Sequence, residues 1–170
     1  MKIIVFRAKT LLIICLIIGV LLSTLYTPAV QSVFSASNGR SLPIYSVQTE
    51  EKKVAIGINC AWDDSDIPAM LSCLAEQEVN ATFFLLGEWA EKYPVSAATI
   101  TKSGQEIGSH SYSHRDLDGL SQSEILNEIS QSQQSIQNAC GQTPVLFRPP
   151  SGSYNDTVID CIHQSGCIPI

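Results

Sequence analysis

Three short stretches of this chain carry side chains equipped for chemistry. "GINCAWDDSD", Gly57 to Asp66, leads from an apolar run into two adjacent carboxylates, Asp63 and Asp64. Paired carboxylates at a strand end suit metal-dependent hydrolysis. "HSYSH" sets His110 and His114 four positions apart. Imidazole nitrogens ligate zinc and similar ions, although a metal site needs further converging donors and a lone loop pair can equally be solvated. "RPPSGSYN", Arg148 to Asn155, contains two prolines and Gly152, which impose a rigid backbone path. Arg148 opens this loop with a planar fork that fits a carboxylate, or it is a surface arginine on a stiff turn.

Each stretch follows a run that reads as a buried strand. Val54–Ile58, Asn80–Gly87 and Val145–Phe147 are short apolar runs with β-branched or aromatic residues, Glu106–His110 reads as the third strand in the series, and "CIPI" at 167–170 begins a fifth. Helical segments separate them. Asp66 and Pro68 mark a helix start, after which Ile67, Met70, Leu71, Leu74 and Ala75 recur at helical spacing. A second helical stretch breaks at Pro94, resumes over 96–102 and stops at Gly104. Ser121 and Glu124 form a capping box for a long polar helix over Gln122–Asn138. Asn155 or Asp156 caps a last helix reaching about Gln164. Alternating strand and helix predict an α/β fold with a parallel sheet or barrel, in which the C-terminal strand ends carry the chemistry.

The length, 170 residues, suffices for one domain with a core. A net charge of −6 without a basic stripe argues against nucleic acid as a partner. Lys2, Arg7 and Lys9 precede the apolar run Leu11–Leu22, and small and polar residues follow. This pattern is a signal peptide or a membrane anchor over 1–26, and both readings place the rest outside the cytoplasm, secreted or held at the cell surface through the membrane. Residues 27–51 read as a linker or a lead-in lying against the domain, which spans 52–170. Of six cysteines, Cys15 lies in the apolar run and the other five show no CxxC spacing. A disulfide from Cys140 to Cys161 or Cys167 is one reading, and small buried hydrophobes the other.

Taken together, "VAIGIN", "NATFFLLG", "GQEIGSHSYSH" and "LFRPPSGSYN" resemble, in order and spacing, the polysaccharide deacetylase family with the NodB homology domain. The resemblance implies a distorted (β/α) barrel. It implies a divalent metal, usually zinc, held by one Asp and two His, and hydrolysis of acetyl groups on a cell-wall or extracellular polysaccharide such as peptidoglycan. His110 and His114 fall on the metal histidines, and Arg148 on the arginine that orients the catalytic base. Pro150, Gly152 and Tyr154 fall on the loop that lines the substrate groove and helps stabilise the oxyanion.

The family's first strand ends in Asp-Asp, base then metal ligand. The ungapped register puts Asn59 and Cys60 there, not Asp63 and Asp64. An amide accepts no proton at physiological pH, so Asn59 is an altered base position. Cys60 is a candidate thiolate ligand beside His110 and His114. Alternatively the loop at Trp62 folds back so that Asp63 or Asp64 reaches the metal. "NCAW" followed by "DIP" resembles a sporulation-associated branch of the family in which the Asp pair is also altered. The chain stops before two later family motifs, one of which supplies the general acid, so the barrel reads as incomplete at its C-terminus. The expectation is a deacetylase-like hydrolase, weak or inactive as this chain, or else a non-catalytic glycan-binding or assembly protein of the cell surface or spore.

Overall fold

The computed structural model describes residues 41–170. The predicted signal or anchor segment, Cys15 and the first part of the predicted linker lie outside the described residues. Five strands form one sheet: β1 (Gly57–Cys60), β2 (Thr82–Leu85), β3 (Glu106–Ser109), β4 (Leu146–Phe147) and β5 (Ile168–Pro169). All neighbours are parallel and the spatial order is the chain order, as for successive staves of a (β/α) barrel. The intervening helices are α1 (Ile67–Glu76), α2 (Gly87–Lys92), α3 (Pro94–Lys102), α4 (Gln122–Cys140) and α5 (Asp156–Gln164).

The helices start where local chemistry permits. Ser121 accepts from the Glu124 amide while Glu124 reaches back to the Ser121 amide, so the expected capping box is present. Asn155 rather than Asp156 caps α5, its side chain accepting from the Val158 amide. Asp66 occupies the cap position of α1, but its side chain accepts no capping bond. Gly87 opens α2 instead of merely ending β2, because its amide donates to the Ser111 carbonyl of the neighbouring loop. The first strand is shifted from 54–58 to 57–60. Its ladder begins only where β2 supplies partners, with Gly57 opposite Thr82.

Strand pleating divides the residues between two faces. Phe83, Leu85 and Ile107 turn toward the helices and join Ile67, Leu71, Trp89, Ala97, Ile100 and Ile136 in one buried cluster. Phe147 packs in a second cluster with Ile125, Ile129, Val158, Ile159 and Ile162, between α4, α5 and the sheet. Each fully buried Phe or Ile contributes roughly 1.5–3 kcal/mol. Truncating Phe147 to Ala would cost about 3–5 kcal/mol.

All five described cysteines are free, so of the two readings the disulfide is not the one the structure has. Cys140 packs against the first cluster whereas Cys161 and Cys167 lie in the second. These thiols fill core space, as the alternative reading had it.

Candidate functional site

The opposite, inward face of the sheet holds the polar residues. Asn59 is paired with Phe84, and Phe84 with Gly108, across three strands. His110 and Arg148 each stand one residue past a strand, yet their amides still continue the ladder. His110 N donates to Leu85 O and Arg148 N to Ser109 O, both over 2.8 Å. Backbone pairing thus aims both side chains at the C-terminal end of the sheet.

Arg148 is held on three sides. Its Nη1 donates to Asn59 Oδ1 over 3.1 Å. Its Cζ lies 3.9 Å from the centroid of the Phe84 ring, a cation–π contact. Beneath it is Gly57, where a Cβ would stand 2.4 Å from Arg148 Nη2. Gly108 makes the same allowance for the Phe84 ring, whose Cδ1 would meet a Cβ at 2.5 Å. Two missing side chains therefore make room for one stacked guanidinium. Burial lowers the Arg148 pKa from its ordinary value, but the guanidinium stays charged.

His110 Nδ1 lies 2.7 Å from the Arg148 carbonyl oxygen. A carbonyl only accepts, so Nδ1 carries the proton and Nε2 keeps its lone pair. Burial pushes the His110 pKa down to about 4, with smaller contributions from the charges of His114 and Arg148 against the opposing carbonyl bond. His114 meets His110 edge to face, with ring centroids 5.1 Å apart, and Trp62 lies 6.2 Å beyond His114.

The arch between the two histidines is fastened by Glu128 of α4. Its carboxylate accepts from Ser111 Oγ (2.8 Å), Tyr112 N (3.1 Å), Ser113 N (3.0 Å) and Ser113 Oγ (2.6 Å). Burial raises the Glu128 pKa, but the bonds from Ser113, Ser111 and Tyr112 outweigh it and hold the group below the usual carboxylate value. Ser111 and His114 take positive φ, 72° and 62°, as does Ser151 at 55° in the "RPPSGSYN" loop. Such backbone costs on the order of 1–3 kcal/mol per residue and persists only where surrounding bonds over-determine it. Glu128 was not singled out in the sequence, although a carboxylate inside the stripe Ile125–Ile129–Ser132–Ile136 is itself a signal. A buried charge requires partners.

The Asp pair is committed elsewhere. Asp63 accepts from the Asp64 amide (2.7 Å) and Ser65 Oγ (2.8 Å), and its own carbonyl accepts from the buried Trp89 Nε1 (3.1 Å). The Ser65 bond, then the Asp64 bond, hold the Asp63 carboxyl below its ordinary pKa. Asp64 Oδ2 accepts from Ser96 Oγ of α3 over 2.5 Å. The loop is anchored to α2 and α3 rather than folded back onto the histidines.

Cys60 does not join the histidines as the expected third ligand. The pleat that turns Asn59 inward turns Cys60 toward Ile67 and Leu71 of the core. Its thiol is 4% exposed, and burial, then the Asp66 charge, push its pKa up to about 12. A neutral thiol is a poor metal ligand. Among the described residues no group of three or more His, Cys, Asp and Glu side chains converges. The donor set therefore does not fit the one-Asp, two-His centre that the resemblance implies.

A cleft of about 500 Å³ opens over this end of the sheet. Asn59, His110, Arg148, Gly152 and Tyr154 line it, together with Tyr45 from the lead-in. Pro150, expected at the groove, is buried beneath the loop within a 3₁₀ turn over Pro150–Gly152. His163 is exposed on α5, outside the cleft.

Comparison with known proteins agrees with this architecture. The family model described as polysaccharide deacetylase matches residues 46–169. The chain is similar to the protein YlxY of Bacillus subtilis (39% identity over 118 residues, 69% of this chain and 37% of that one). It is similar to a peptidoglycan-N-acetylglucosamine deacetylase of Bacillus cereus (35% over 108 residues, 64% and 39%). Among solved structures it superposes on BA3943 of Bacillus anthracis, a family 4 carbohydrate esterase pseudoenzyme, with a TM-score of 0.74 and 35% identity over 76% of this chain and 46% of that one. A mutant of BA3943 with restored enzymatic activity superposes with the same TM-score, 0.74. The chain spans less than half the length of each of these proteins. With the family model matched over most of its length and the fold in agreement, the chain belongs to the polysaccharide deacetylase family.

Proposed function

We propose that this protein binds acetylated cell-wall saccharide, of the peptidoglycan class, in the cleft beneath Tyr154 and does not hydrolyse it. The carrying observation is Asn59. It stands at the family's base position and accepts a hydrogen bond from Arg148, yet its amide has no proton-accepting form near neutral pH. Loss of general-base help alone costs about 10²–10⁴-fold in rate. Cys60 supports the same reading, since its side chain packs in the core and offers no donor to the cleft where the family places a carboxylate. The side chains present do not fit the family's metal centre. The cleft keeps what binding needs: a fixed guanidinium, the exposed Asn59 amide and an aromatic wall. The N-terminal basic and apolar pattern supports binding outside the cytoplasm, by a protein secreted or anchored at the cell surface.

A slow hydrolase is the second reading, favoured by the His110–His114 pair and the unshared Nε2 of His110. One experiment separates the two. The full chain is titrated calorimetrically with tetra-N-acetylchitotetraose and with peptidoglycan fragments, and acetate is assayed in the same samples with zinc supplied. Binding without acetate is expected. Zinc-dependent acetate release abolished by His110→Ala would overturn the binding-only reading.

A further inference from the structure

The lead-in segment ahead of β1 runs against the sheet edge and forms one side of the cleft. Ser41 N donates to Asp156 Oδ1 at the start of α5, over 2.9 Å. Ile44 N donates to the Pro169 carbonyl of β5, also over 2.9 Å, so a backbone bond ties the segment to β5. Pro43 is buried between these two anchors. The next residue, Tyr45, reaches over the cleft, and its hydroxyl lies 2.5 Å from the Tyr154 hydroxyl.

From this arrangement we infer that the lead-in is a built wall of the saccharide site and that Tyr45 is a binding residue for the glycan. The inference rests on the saccharide-binding reading and extends it to a residue outside the family-matched span. Two anchors fix the backbone on either side of Pro43, and the Tyr154 contact fixes the ring. The Tyr45 side chain is therefore ordered before ligand arrives, which lowers the entropy lost on binding. Tyr45 is nonetheless 71% exposed. A large apolar ring held rigidly at the mouth of a polar cleft is the chemistry that recognises a pyranose, whose axial C–H bonds form an apolar face while its hydroxyls turn to polar partners. In this cleft the polar partners are Arg148, Asn59 and the linked tyrosine hydroxyls. An occluding segment would bury its own side chain in the cleft, whereas Tyr45 keeps its ring accessible.

The test uses the full chain with tetra-N-acetylchitotetraose as probe, read by calorimetry, with hydrogen exchange at the Ile44 amide reporting whether the segment stays docked. Tyr45→Ala is expected to weaken binding about tenfold with the Ile44 amide still protected, as loss of an aromatic platform does. Tyr45→Phe and Tyr154→Phe, which each remove one end of the hydroxyl contact and keep the ring, should weaken it by only about two- to threefold and by similar amounts. Unchanged affinity in Tyr45→Ala, with binding lost in Arg148→Ala, overturns the role of Tyr45 and leaves the saccharide reading standing. Tighter binding in Tyr45→Ala overturns it in favour of an occluding segment. No binding by the wild-type chain overturns the saccharide reading and this inference with it.

Discussion

Arg148 Nη1 donates to Asn59 Oδ1 over 3.1 Å, across the inward face of the sheet from β4 to β1. The guanidinium keeps this bond although its partner carries no charge, because Phe84 stacks against it and Gly57 leaves it room. A site with an intact clamp and a neutral amide in its grip retains position and lacks proton chemistry.

Carboxylates at the two strand-end positions should have opposite effects. Asn59→Asp places a charged acceptor against Arg148 in the cleft, whereas Cys60→Asp turns a carboxylate toward Ile67 and Leu71 in the core. We expect Asn59→Asp to leave stability unchanged or raise it slightly, and Cys60→Asp to lower it by about 3–5 kcal/mol, as an unpaired buried charge does. Urea unfolding of both variants checks it, and an unchanged stability in Cys60→Asp would mean that position 60 does not face the core.

Glu128 should carry the histidine arch. Glu128→Ala strands four donors of Ser111, Tyr112 and Ser113. It should lower stability by about 2–3 kcal/mol in urea unfolding, with Glu128→Gln intermediate. Because its folded pKa is depressed, the stabilisation is present above the unfolded carboxylate pKa and is lost as pH falls through the folded value. The wild-type stability curve should therefore drop at acid pH, and the Ala variant should drop less.

His110 should titrate far below an ordinary histidine. In metal-free protein, its ring signals should follow a midpoint at about 4 in NMR. The unfolded chain binds its proton near pH 6.5 while the folded chain does not, so this group makes stability rise with pH between about 4 and 6.5. A midpoint near 6.5 would mean that the Nδ1 bond to the Arg148 carbonyl does not hold the ring in its buried setting.

The thiols should separate by burial. Cys73 is exposed, while Cys60, Cys161 and Cys167 are buried and burial raises the pKa of each. Brief alkylation of the native chain should modify Cys73 first and leave Cys60 unlabelled until denaturant is added, as read by peptide mass spectrometry. Rapid native labelling of Cys60 would place it at a reactive surface instead of in the core.

Local signals were enough to recover the elements and their order. The Ser121–Glu124 box, the break at Pro94 and the β-branched runs act over a few residues, so they are legible without any partner, although the helix after the break starts at Pro94 itself rather than at 96. Strand ends were less legible, because a ladder extends only as far as its neighbour does. For that reason Val54–Ile56 read as strand, while pairing begins at Gly57. The register that puts Asn59 and Cys60 at the family's Asp pair follows from the resemblance to the family's motifs, and the loss of base chemistry then follows from the amide. Tertiary contacts decided the rest. Pleating sends Cys60 into the core and Asn59 to the cleft, a choice of face set by what packs against the sheet. Ser96 and Trp89, far along the chain from the loop, tether the Asp63–Asp64 segment away from the histidines. Glu128 finds the histidine arch and Tyr45 finds Tyr154 only once helices and sheet are assembled. Bonds spanning that many residues have no periodicity to announce them, so the wall of the cleft and the support of its histidines belong to the folded chain.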